Sequence, residues 1–218
     1  MKLAICTPTT GLARIEWAES VINLIKKIMI SPRYKIKDVK LFFFCSSNIP
    51  ANRNKIINQA LNWGATHLMF IDEDQRFPPE CFLALLKNKE LPIIGANCCK
   101  RMYPIEFMAI DHMGQQVDSR KKEGLEVVRA TGFSFILIKE EVFRTVPKPW
   151  TAFPYRPDDD DYGTEDYFFF DKALEHGYEC VIDHDVSKIV QHIGPHVFDP
   201  LSERGVYVKE QLPDDSTD

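Results

Sequence analysis

A chain of 218 residues, 44% hydrophobic and 27% charged, has the composition of an ordinary globular protein and the length for one large domain. Its net charge of -5 argues against an extended nucleic-acid footprint, and no apolar run approaches the roughly 20 residues that span a bilayer. Six cysteines (Cys6, Cys45, Cys81, Cys98, Cys99 and Cys180) match no zinc spacing and read as mostly buried free thiols of a reducing, cytoplasmic compartment.

The opening MKLAICTPTT has one lysine and a very short apolar run, so it reads as a first core strand, Leu3 to Cys6, and not as a signal peptide. A helix is expected from Glu16 to Met29, with Val21, Ile22, Ile25, Ile28 and Met29 on one face. Val39 to Cys45 makes a second strand, and Pro50 opens a helix that Gly64 closes. His67 to Ile71 is a third strand, Pro78 and Pro79 start the next helix, and Pro92 to Ala96 is a fourth strand. This alternation predicts an α/β domain with a mainly parallel sheet flanked by helices. In the second half, mixed short segments surround the basic turn SRKKEG, and Phe133 to Ile138 is a strong strand. A helix runs from Glu165 to His176 and stops at Gly177; YECVID and VSKIVQHIG are the last strand candidates. The terminal QLPDDSTD is expected to be a disordered tail.

The third strand runs straight into Asp72, Glu73 and Asp74. In an extended backbone Asp72 and Asp74 project to one side and Glu73 to the other. They lie past the carboxyl end of a parallel strand, where open α/β sheets place ligands, and two hard oxygen donors there suit Mn²⁺ or Mg²⁺ with a substrate's phosphates. A solvated turn capping the next helix is the plainer alternative. Farther on, Glu165 and Asp166 fall in a first helical turn, which the helix dipole favours by itself. Phe169, Phe170, Ala173 and Leu174 mark that helix's buried face and put Asp166 at the rim of the core, where a carboxylate can act as general base. His192 ends an apolar strand; His184 and His196 flank it as alternative ligands.

Four stretches, in this order, resemble a GT-A fold glycosyltransferase close to the family 2-like group. They are CTPTTG, PANRNKIINQALNWGATHLMFIDEDQRFPPE, ATGFSFILIKEEVF, and GTEDYFFFDKALEHGY followed by QHIG. The resemblance implies a single GT-A-like domain over residues 1–205, with a tail at 206–218, that moves a sugar from a nucleotide-diphosphate donor, a UDP-sugar, to a hydroxyl acceptor with inversion. It implies Mn²⁺ (or Mg²⁺) on Asp72, Asp74 and His192, with Asp166 as base and Glu165 beside it. Thr7, Pro8 and Thr9 would border base and ribose, Arg53 and Glu73 would lie close to the nucleotide, and Gly132 would let backbone approach the sugar, unless it is a plain strand-entry glycine; Lys100 and Arg101, after a strand end, suit either a hold on the diphosphate or a solvated basic pair. Thr164 stands where a second glycine is usual, and Glu73 is bulkier than the expected middle residue. Asp158 to Asp161 suit a solvated loop or a lid, while Trp150, Phe153 and Tyr155 suit loop packing or stacking on an acceptor. The acceptor class (glycan, protein side chain, lipid-linked sugar or modified nucleobase) stays open. Two other functions compete. A haloacid-dehalogenase-like phosphatase also begins with an apolar strand and D-x-D, though nearer the N-terminus, and a non-catalytic sugar- or nucleotide-binding module would keep the same fold.

Overall fold

The computed structural model describes residues 1–158, 160–194, 196–198, 200, 201, 206 and 207. Most of the expected tail and the side chain of His196 lie outside the described residues. The N-terminal half lays down β1 (Lys2–Thr9), α1 (Ile15–Met29), β2 (Asp38–Cys45), α2 (Ile49–Trp63) and β3 (His67–Ile71). It continues through a short β4 (Gln75–Arg76), α3 (Pro79–Lys87), β5 (Ile93–Gly95) and β6 (Leu125–Val128). Then come β7 (Phe135–Lys139), α4 (Glu140–Thr145), a small hairpin of β8 (Tyr155–Arg156) and β9 (Asp161–Tyr162), α5 (Glu165–Glu175) and β10 (Cys180–Asp183). A short α6 (His184–Ser187), β11 (Gln191–Ile193), β12 (His196–Phe198) and β13 (Val206–Tyr207) complete the order.

Seven strands form the central sheet in the order β2-β1-β3-β7-β5-β10-β6. Five of them run one way; β7 and β6 run against the rest. The sheet is therefore mostly parallel, as the alternation of segments predicts, with a reversed β7 wedged between β3 and β5. Side chains alternate across each strand, so Leu68 and Phe70 feed one core while Met69 and Ile71 feed the other. The first core packs Ile56, Ile57 and Ala60 of α2 and Phe169, Phe170 and Ala173 of α5. The second packs α1 and α3. Two helical layers thus enclose one sheet, and both faces of each central strand are dry.

Two expectations shift. The buried stripe of α1 is Trp17, Val21, Leu24 and Ile28, a helical i, i+4, i+7, i+11 series, whereas Ile22 and Met29 are exposed. The VSKIVQHIG segment is not one strand: Asp183 caps α6 by accepting from the backbone N–H groups of Asp185 and Val186, and only Gln191–Ile193 is extended. Where the sequence marks boundaries chemically it is obeyed. Asn48 caps α2 through Ala51 N–H, and Gly64 ends it at φ +83°, a conformation that favours glycine. All six cysteines are free, five of them buried.

Candidate active site

The carboxyl ends of β1 and β3 lie side by side, and the acidic stretch leaves β3 there. The backbone does not stay extended. Gln75 N–H closes a turn onto the Asp72 carbonyl at 3.1 Å, so Asp72 and Asp74 are handed to different partners instead of one common side. This corrects the alternation expected from an extended chain.

Asp74 meets His192. The two are distant in sequence but joined by the pairing of β4 with β11, which sets His192 opposite Gln75, and by Ile193 N–H donating to the Asp74 carbonyl at 2.8 Å. His192 Nε2 lies 3.1 Å from Asp74 Oδ2, and Arg101 reaches the same oxygen at 3.1 Å. The other ring nitrogen, Nδ1, sits 2.9 Å from the carbonyl of Cys99. A carbonyl only accepts, so Nδ1 carries a proton; Nε2 then either donates to the Asp74 carboxylate, when the ring carries a second proton, or leaves beside it a lone pair that a cation could share. Burial alone would raise Asp74, but the hydrogen bond from His192, with the charges of His192 and Arg101, outweighs it and holds the carboxyl below its ordinary range.

Asp72 faces Arg53. The Arg53 guanidinium, 3% exposed, is bound by three carboxylates at once. Its Nη2 donates to Asp72 at 3.2 and 3.3 Å, and its Nη1 donates to Asp166 at 2.8 Å and to Glu165. Its Cζ lies 5.0 Å from the Phe133 ring centroid, and Nε has no hydrogen-bond partner among the described residues. One positive charge cannot neutralise three negative ones. Burial, opposed by Arg53 and reinforced by Glu165 and Asp72, pushes the Asp166 carboxyl up to about 7. A carboxylate that exchanges its proton near neutrality is suited to general-base work.

Thr164 caps α5 by accepting from Tyr167 N–H, which fixes the turn that carries Glu165 and Asp166. Thr164→Ala should lower stability by about 1 kcal/mol in thermal or urea denaturation. A glycine at this place would supply no side-chain cap. An unchanged midpoint in the alanine variant would show that the cap contributes nothing.

The remaining expected residues divide. Thr7 is buried and donates to the Ile71 carbonyl at 2.8 Å; Pro8 is buried as well, so both build the strand end and offer no free polar group. Thr9 donates to Glu73, whose carboxylate also takes Thr10 N–H at 3.0 Å and Thr10 Oγ1 at 2.7 Å. The length of Glu73 is what lets it reach across to the β1–α1 loop. Lys100 is paired with Glu106 at 2.8 Å, leaving Arg101 as the cation turned to the acids. A Cβ on Gly132 would meet the end of the Met108 side chain at 2.7 Å, so the close approach there comes from a methionine. His184 is buried between Ser119 and Glu126. Trp150 is buried with its indole N–H on the carbonyls of Phe143 and Val146, while Phe153 and Tyr155 stay exposed beside the β8–β9 hairpin.

A cavity of about 610 Å³ opens against Asp74, Glu73 and Arg101, with Arg14, Leu12 and Ile15 on its other wall. Arg14, Leu12 and Ile15 were not singled out from the sequence, although the turn signal TPTTG placed their loop at a strand's carboxyl end. Arg53 carried a legible mark, since it shares the i, i+3, i+4, i+7 stripe of Ile56, Ile57 and Ala60. Among the described residues no cluster of three or more His, Cys, Asp or Glu side chains is arranged around a common point. Asp74 and His192 nonetheless fit two positions of a divalent ion: one hard oxygen donor, one imidazole nitrogen freed by its partner's hydrogen bond, and a guanidinium standing where a cation is called for.

Fold and site together define an α/β protein with an acidic cleft at the carboxyl ends of its parallel strands. No family model and no curated protein sequence matches the chain. Among solved structures, the crystal structure of A197 from STIV is similar over 95% of this chain and 94% of that chain, with a TM-score of 0.63 at 15% identity. That likeness shows a shared fold. The crystal structure of S. aureus TarS 1-349 in complex with UDP-GlcNAc is similar over 84% of this chain and 55% of that chain, with a TM-score of 0.45 at 14% identity, too distant to bear on function.

Proposed function

We propose that the chain is a metal-dependent glycosyltransferase that moves a sugar from a nucleotide-diphosphate donor, a UDP-sugar, to a hydroxyl acceptor with inversion. The observation that carries this reading is the facing pair of Asp74 and His192 Nε2, 3.1 Å apart, with Asp74 lining a cavity of about 610 Å³. When bound, Mn²⁺ or Mg²⁺ would offset the charge that grows on a departing diphosphate. Asp74 and His192 would hold it, while Asp72 is bound to Arg53. Arg101 and Arg14 then face the diphosphate, and the apolar Leu12 and Ile15 line the wall that the base would cover. Asp166, held on Arg53 beside Asp72, would accept the proton of the incoming hydroxyl, and Glu165 keeps a second carboxylate at the same guanidinium. A base on the face opposite the leaving group gives inversion in one displacement.

A melting-temperature panel of nucleoside diphosphates with and without Mn²⁺ tests the donor half, because a ligand specific to the native state raises the midpoint. One nucleotide is expected to stabilise the protein only when Mn²⁺ is present, and Asp74→Ala should abolish that shift. A response to no nucleotide under either condition would sink the donor assignment.

A further inference from the structure

The end of the molecule away from the cleft carries a second feature of a different kind. Residues 26–40, KKIMISPRYKIKDVK, contain six Lys and Arg against one Asp, a local charge of +5 in a chain whose net charge is -5. They form the last turn of α1, a short 3-10 turn at Pro32–Tyr34 and the start of β2. Lys27 is paired with Glu80 and Lys40 lies over the Phe42 ring. Lys26, Arg33, Lys35 and Lys37 have no carboxylate partner among the described residues. Between these cations Met29 and Ile30 stand 77% and 75% exposed, adjacent aliphatic side chains with no role in either core.

Two cavities flank the protruding 3-10 turn. One, of about 510 Å³, is floored by Ile25, Ile28, Ile36 and Val39 and rimmed by Lys37 and by Asp38, the one acid of the segment. The other, of about 460 Å³, is floored by Leu83 and Leu86 and rimmed by Arg33, Lys87 and Lys89. Apolar floors with cationic rims, repeated on both sides of an exposed aliphatic tip, match a surface that is negative at its face and hydrocarbon beneath. A polyanion without hydrocarbon would use the cations but leave Met29 and Ile30 without purpose. Nucleic acid is read by aromatic platforms, and Tyr34, the aromatic side chain of this turn, has the Arg33 guanidinium over its ring at 4.9 Å from the centroid. No helix among the described residues is long and apolar enough to cross a membrane, so attachment here is peripheral.

We infer that this face docks the protein on an anionic membrane surface, with Met29 and Ile30 entering the headgroup boundary and Lys26, Arg33, Lys35 and Lys37 against the lipid phosphates. The inference is independent of the proposed catalytic function, because the face uses none of the cleft residues. In β1, Lys2 pairs with Asp38 at this end and Thr9 with Cys45 at the other. Eight residues of strand separate the two ends by roughly 23 Å.

Vesicle co-sedimentation of the full chain decides it, with phosphatidylcholine alone compared with phosphatidylcholine doped with phosphatidylglycerol. Binding is expected only to the doped vesicles, to weaken with salt, and to fall roughly fivefold for each cation neutralised. Lys35→Glu with Lys37→Glu should abolish it. Met29→Ser with Ile30→Ser, at exposed positions where the fold is unaffected, should weaken it and remove the part that survives high salt. Equal binding to both vesicle types, or binding indifferent to both double variants, would overturn the assignment. Capture of single-stranded RNA that is lost in the lysine variant but unchanged in the Met29 and Ile30 variant would reassign the face to nucleic acid. Melting curves with nucleotide and Mn²⁺ on the same variants keep this outcome separate from that of the cleft.

Discussion

Arg53→Met should destabilise the protein by on the order of 3–5 kcal/mol in urea unfolding at neutral pH. Methionine fills much of the same volume, so the loss is electrostatic more than steric. Without the guanidinium, Asp72, Glu165 and Asp166 would face one another in a site that water barely reaches. Lysine at this position keeps the charge, yet a single ammonium cannot span carboxylates on both sides as the guanidinium fork does. Much of the deficit is therefore expected to remain in Arg53→Lys. Adding Asp166→Asn to Arg53→Met should recover part of the loss, and the non-additivity would measure the coupling between the two. A loss below ~1 kcal/mol, the size expected of an ordinary substitution, would mean that the three carboxylates are not held by this residue.

The second large effect is on turnover. Asp166→Asn should leave nucleotide- and Mn²⁺-dependent stabilisation intact and reduce transfer by about 10²- to 10⁴-fold. In the native protein, transfer should rise with pH through a midpoint near the value to which burial pushes Asp166, about 7. Equal loss of donor binding and transfer in the variant would break the role given to this carboxylate. The same shift has a signature in stability. The folded state keeps the Asp166 proton up to about 7, whereas the unfolded chain releases it around the ordinary carboxyl value of 3.8. The stabilisation is complete below the lower value and is lost as pH rises through the higher one. Unfolding of wild type and Asp166→Asn compared at pH values on either side of that window should show the asparagine variant gaining relative stability at the alkaline end.

How far the sequence reached is best seen residue by residue. The strands at Leu3, Val39 and His67 and the helices opened at Pro50 and Pro79 were legible, because hydrophobic runs and Pro or Gly punctuation are local signals. The reversal of β7 was not. Phe135–Lys139 is buried on both faces, and such a strand has the same apolar sequence whichever way it runs. The meeting of Asp74 with His192 was anticipated from the order of motifs, but the separation of Asp72 from Asp74 was not. A turn closed by Gln75 N–H is a matter of backbone hydrogen bonding that three consecutive acids do not announce. Arg53 lies on the apolar stripe of its own helix, and a cation there requires buried acids opposite; which acids those are depends on the fold, which brings Asp72, Glu165 and Asp166 together.

Glu73 has a mechanical consequence. Its carboxylate is bound by Thr9 and by the backbone and hydroxyl of Thr10, and its carbonyl takes Arg14 N–H at 3.1 Å. The turn that carries Asp72 and Asp74 is thereby riveted at both ends of one residue to the loop that forms the opposite wall of the cavity. The two walls move as a single jaw. A ligand entering between them meets a gap already set to width, so little ordering entropy is lost on that side.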